Sequence, residues 1–150
     1  MKKSKRFEPI REIASTSAKD LSRAMGEAGR KVADLEGRVE QLHSYRAEYV
    51  RNSQSAGSID AVKLQNYRMF LDRLGEALRQ QLKALDAARA EYDERHALWA
   101  EKRIEAESLG RAVDRFRKEE RHAADQREQR EGDDAALRVL LANLGEAGNR

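Results

Sequence analysis

The chain has 150 residues, of which 39% are apolar, 38% charged and 5% aromatic, with one Pro, no Cys and a net charge of +3. That profile belongs to long helices and coiled coils, which bury a seam and not a core, so an enclosed pocket of the enzyme type is not expected. Absence of Cys removes disulfides and suits a reducing cytoplasm; no apolar run nears the roughly 18 residues that span a membrane, and no apolar signal region follows the basic start "MKKSKRF".

The first predicted element is a helix over about residues 7–50. Residues 1–30 carry eight Lys/Arg against four acids, a modest basic footprint that does not make nucleic acid an expected partner. Pro9 suits a helix's first turn. Leu21, Met25, Ala28, Val32, Leu35, Val39, Leu42, Arg46 and Tyr49 then step by fours and threes, and Phe7, Ile10, Ala14 and Ser17 precede them in the same rule. The consecutive steps of four from Ser17 to Leu21 to Met25 mark a stutter, where a supercoil locally unwinds.

A break follows at "RNSQSAGSID", residues 51–60, where Gly57 sits among serines and nothing apolar is periodic. The second helix, about residues 61–131, has the clearest pattern. Tyr67, Leu71, Leu74, Leu78, Gln81, Leu85, Ala88, Tyr92, Arg95, Trp99, Lys102, Ala106, Leu109, Val113, Phe116, Glu120 and Ala123 keep a strict 3.5-residue period. Thirteen of the seventeen are apolar, which predicts a left-handed coiled coil. Pairs such as Glu91–Arg95, Glu107–Arg111 and Asp114–Lys118 have the favourable i,i+4 order of a solvated face.

The predicted fold is therefore all-α, an antiparallel two-helix coiled-coil hairpin whose second helix is longer than the first. Placing Leu42 opposite Leu71, Val39 opposite Leu74 and Leu35 opposite Leu78 centres the turn between Ala56 and Gly57; a slip of one heptad satisfies the pattern too. In that register Phe7 reaches only about residue 106, so Leu109, Val113 and Phe116 continue the seam with nothing to face. An external partner or a second copy would cover them. Near the turn, Tyr45, Phe70 and Ala77 lie beside the seam, where aromatics either contact a partner or shield the seam from water.

No catalytic, cofactor-binding or metal-binding residue is expected. His43, His96 and His122 are far apart, no spacing puts two metal ligands on one helix face, and there is neither a glycine-rich phosphate loop nor a Cys nucleophile.

"LHSYRAEY" (42–49) before the break, "NYRMFLDRLGEAL" (66–78) after it and "WAEKR" (99–103) farther on resemble the flagellar export protein family FliJ, over about residues 7–131. The order and spacing of these short motifs around one break carry the resemblance. It implies a soluble, non-enzymatic coiled-coil stalk of the flagellar type III export apparatus, needing no cofactor and serving motility. Its implied partners are the export ATPase FliI, whose pore receives the paired termini, the export gate protein FlhA, and export chaperones. It implies a cytoplasmic location, peripheral at the inner face of the membrane through protein contacts. The family's gate-facing surface maps onto Leu42, Tyr45, Tyr49, Phe70, Leu74 and Ala77, and the overhanging stretch with Leu109, Val113 and Phe116 is the end that the ATPase ring is expected to read. A family position that is often a polar or imidazole side chain corresponds here to Gln81, which leaves that contact open. The equivalent stalk of a virulence type III secretion system is an alternative within the same logic; a free-standing coiled-coil dimer or basic-tailed nucleic-acid binder is one from another class. The tail, residues 132–150, lies outside the resemblance. Asp133 or Asp134 could cap a short helix there, with Leu137, Leu140, Leu141 and Leu144 apolar and Gly145 ending it.

Overall fold

In a computed structural model, which describes residues 2–55, 57 and 60–149, the chain forms two α-helices. Helix α1 spans Lys3–Ser55 and helix α2 spans Ala61–Gly148, 53 and 88 residues long. The protein is all-α, a helical hairpin with the longer helix second, and no strand occurs among the described residues.

Both helices outrun the ends expected from the sequence. α1 begins at Lys3, which moves Pro9 out of the first turn and into the helix. The serines of the break do not stop α1 either. Ser53 Oγ donates to the Val50 carbonyl at 3.2 Å and Ser55 Oγ to the Asn52 carbonyl at 3.0 Å, local back-bonds that a helix accommodates. Gly57 holds φ at +78°, a conformation that suits glycine; Ala56, the other half of the expected centre, lies outside the described residues. Asp60 then caps α2: its Oδ1 accepts from the Lys63 amide at 2.7 Å and its carbonyl from the Leu64 amide at 3.0 Å. One of the orphan donors of a helix start is thereby satisfied. At the far end α2 passes through residues 132–148 without interruption. Asp133 and Asp134 therefore sit inside a helix and not at the cap of a separate one.

Two compact units make up the chain, residues 17–102 and residues 1–16 with 103–150. In the first, Leu35, Val39, Leu78, Leu85 and Ala88 form the buried cluster, with Val32 and Leu42 packed on it. Contacts across the seam fix its register. Tyr49 stacks on Tyr67 with centroids 5.4 Å apart, Arg89 bonds Glu36 at 3.1 Å, Lys31 pairs with Glu91 at 3.6 Å, and Arg95 donates to the Ala24 carbonyl at 3.1 Å. All lie farther along α2 than the pairing of Leu42 with Leu71 would put them, on average by about one heptad. The register is thus the slipped one, which brings Leu42 level with Leu78, Leu35 with Leu85 and Val32 with Ala88. Polar and aromatic flanks choose between two registers that the apolar pattern satisfies equally.

The second unit shows the same correction. Phe7 meets Phe116 with ring centroids 5.2 Å apart, not a position near residue 106. Val113 is fully buried, at 0% exposure, and Ala14 is buried too. Ser4 donates to Glu120 twice, from its amide at 3.1 Å and its hydroxyl at 2.6 Å. Arg117 reaches Glu8 at 3.0 Å. Leu109, Val113 and Phe116, expected to lack an internal partner, are partly or wholly covered. The unpartnered stretch begins later: every described residue from 121 onward is exposed, with Leu137, Leu140, Leu141 and Leu144 each more than half so.

Every seam position from Tyr67 to Glu120 is at least partly buried. Ala123 is exposed because α1 no longer lies beside it. On α1 the exceptions are Ile10 and Arg46, which are exposed.

Candidate partner-binding surfaces

Near the turn, an aromatic cluster occupies one edge of residues 17–102. Tyr45 and Tyr49 are one turn apart on α1, and Tyr67 and Phe70 nearly one turn apart on α2, so helical periodicity stacks each pair on one face. Phe70 packs on Tyr49 with centroids 4.3 Å apart and meets Tyr45 edge-on at 6.0 Å. Tyr45 nonetheless stays 52% exposed, while Tyr49, Phe70, Leu42, Leu74 and Ala77 are half-buried. The six residues are therefore unequal. Tyr45 offers an aromatic surface to solvent, Tyr49 and Phe70 support it, and Leu42 and Leu74 sit in the seam.

Beside this edge runs an open groove of about 500 Å³, lined by Arg38, Gln41, Leu42, Tyr45, Ala77 and Gln81. Leu42, Tyr45 and Ala77 come from the expected surface. Arg38, Gln41 and Gln81 were missed as lining, although Arg38, Gln41 and Tyr45 follow an i, i+3, i+7 spacing that places them on one helical face. The polar seam positions differ in how they are satisfied. Arg95 bonds Glu91 at 2.7 Å and the Ala24 carbonyl, and Glu120 accepts from Ser4. The Oε1 atom of Gln81 is buried and accepts no hydrogen bond.

At the other unit, Lys2, Arg117, Lys118 and Arg121 line a second open groove with Asp114, Glu120 and Ala124. Lys3 Nζ lies 5.7 Å from the centre of the Phe116 ring. The Glu120 carboxyl is held below the ordinary glutamate range, first by the Ser4 hydroxyl and then by the Ser4 amide. Leu109 and Phe116 lie in this unit's seam half-buried, and Val113 is fully buried in it.

Among the described residues no group of three or more His, Cys, Asp or Glu side chains could hold a metal ion. No helix among them is long and apolar enough to cross a membrane. The surfaces fit contacts with other macromolecules, through one aromatic edge and one basic groove. A family model described as flagellar FliJ protein matches residues 2–144. No curated protein and no solved structure matches the chain.

Proposed function

The chain belongs to the flagellar FliJ family, and on that footing we propose that it is a non-enzymatic coiled-coil stalk of the flagellar type III export apparatus, linking the export ATPase FliI to the export gate protein FlhA and assisting export chaperones. It works in the cytoplasm, held at the inner face of the membrane by protein contacts. The observation that supports this best is the aromatic edge: Tyr45 remains 52% exposed within a cluster that buries its neighbours. Aromatic side chains of this kind anchor protein interfaces.

The gate meets residues 17–102 at Leu42, Tyr45, Tyr49, Phe70, Leu74 and Ala77, with Tyr45 as the anchor. The ATPase meets the unit of residues 1–16 and 103–150. There Leu109 and Phe116 present their half-buried flanks, and Val113, at 0% exposure, holds that end together from inside. The basic groove around Lys2, Arg117, Lys118 and Arg121 suits acidic groups on the ring.

The test compares Tyr45→Ala and the Tyr45→Ala, Phe70→Ala double variant with the natural chain against both purified partners. Loss of a buried anchor costs on the order of 2 kcal/mol or more, so gate affinity should fall roughly thirtyfold while ATPase binding and the helical spectrum persist. Tyr45→Ala is the cleaner probe, since Phe70 also packs on Tyr49. Loss of both contacts together would make the cluster a structural element, and unchanged gate affinity would remove it from the interface.

A further inference from the structure

We infer that four flanking charges, Lys31 and Glu36 on α1 with Arg89 and Glu91 on α2, form a register lock. They hold residues 17–102 against a second register, one heptad away, that the apolar seam accepts equally well.

In the observed register Glu36 meets Arg89 at 3.1 Å and Lys31 meets Glu91 at 3.6 Å. Both pairs lie beside the seam, at the positions that set pairing and orientation in coiled coils. Sliding α1 by one heptad, into the register that sets Leu35 opposite Leu78, gives each charge a new neighbour. By the same spacing Glu36 comes level with Leu82, Lys31 with Ala84, Arg89 with Gly29 and Glu91 with Ala24. None of these four is charged, so the slip unpairs every member of the lock in one step. The Arg89 and Glu36 side chains are 53% and 50% exposed, and one such pair contributes little by itself. Selection comes from losing both pairs together, against an apolar contribution that the slip leaves unchanged.

Arg95 stiffens the lock. It occupies a seam position that an apolar residue would otherwise fill. Its Nη2 donates to Glu91 Oε1 at 2.7 Å and its Nη1 to the Ala24 carbonyl at 3.1 Å, while Glu91 Oε2 faces Lys31. Backbone carbonyls recur along α1, so Arg95 finds an acceptor in either register and does not choose between them. It acts through Glu91, which it holds toward Lys31, and is a positioning residue. Polar groups kept at a seam in this way trade stability for a single pairing. A slip of one heptad moves α1 about 10 Å along α2. That would part Tyr45 from Phe70, whose ring centroids are 6.0 Å apart, so the lock keeps the aromatic edge assembled.

The experiment reads the register in the full chain with two cysteine pairs, scored for crosslinks within single chains. Cysteines replacing Leu35 and Leu85 report the observed register, and cysteines replacing Val39 and Leu74 the slipped one. Glu36→Lys and Lys31→Glu each set like charges together in the observed register and meet no charge in the slipped one. Each should lower the first crosslink about threefold, and the two together roughly tenfold, with the second crosslink rising to match. The helical spectrum should persist. Adding Arg89→Glu to Glu36→Lys restores the attraction with its sign reversed and should return the natural pattern, which a merely structural role would not do. The inference is overturned if the double reversal leaves both crosslinks unchanged, which would assign the register to the ring contacts and the Ser4–Glu120 bonds. It is also overturned if the first crosslink is lost and Arg89→Glu does not bring it back in Glu36→Lys, since the charges would then support folding without choosing a register.

Discussion

Single residues decide how the start of α1 is held. Its first amides have no helical partner, and Glu120 supplies one acceptor for the Ser4 amide while its other oxygen takes the Ser4 hydroxyl. These bonds require the carboxylate, which is why the Glu120 carboxyl lies below the ordinary value of 4.5. A group whose pKa is depressed on folding contributes stability that is present above its unfolded value and is lost as pH falls through its folded value. The melting temperature of the natural chain should therefore exceed that of Glu120→Gln near neutral pH. The gap should close as the solution is acidified from 4.5 downward. Thermal melts of the two proteins across that range check this, and a gap independent of pH would show that the bonds do not need the charge. Val113 illustrates the complementary case. Its heptad position follows from the 3.5-residue period but its neighbour does not, and burial at 0% exposure makes it a packing residue.

Elements show where local signals compete with tertiary contacts. Pro9 lacks an amide hydrogen and its ring crowds the preceding turn, so inside a helix it costs about 3 kcal/mol. Such a residue is expected near a helix start for that reason. In the structure α1 begins at Lys3, where the Phe7–Phe116 ring contact and the Ser4–Glu120 bonds offset the cost of helix on both sides of the proline. Pro9→Ala should consequently raise the melting temperature by several degrees, as expected for a gain of a kcal/mol or more in a chain of this size. A lowered melting temperature would mean that the proline ring itself packs usefully. At the other terminus the same logic runs in reverse. Asp133 and Asp134 are good cap residues, yet nothing forces the chain to turn there, and α2 continues through them to Gly148.

At the scale of the whole molecule, register was the open quantity. The chain has no natural Cys, so engineered pairs report on it directly. Cysteines replacing Leu35 and Leu85, both in the buried cluster, should crosslink within one chain on oxidation. Cysteines replacing Val39 and Leu74 should not, being about a heptad out of line and beyond the short Cα separation that a disulfide spans. The opposite result would restore the first register, and crosslinks only between chains would mean that two copies pair instead of one folding back.

The sequence alone determined that the chain is helical, that it breaks within residues 51–60, and most of the seam, all but the exposed Ile10, Arg46 and Ala123. These follow from a 3.5-residue period that each helix carries by itself, and the burial of positions from Tyr67 to Glu120 matches it. The aromatic edge was readable for the same reason, since Tyr45 and Phe70 stand at fixed places relative to that period. The pairing of the helices was not. A seven-residue repeat is unchanged by a shift of seven, so apolar pattern assigns the two registers equal merit. Only the packed structure adds the terms that differ between them: Tyr49 on Tyr67, Arg89 on Glu36, Phe7 on Phe116 and Ser4 on Glu120. That choice moved Leu109, Val113 and Phe116 under cover and left the exposed stretch to begin at residue 121. It also left Gln81 Oε1 buried without a donor, because whether a polar seam residue finds a partner depends on what the opposite helix brings level with it.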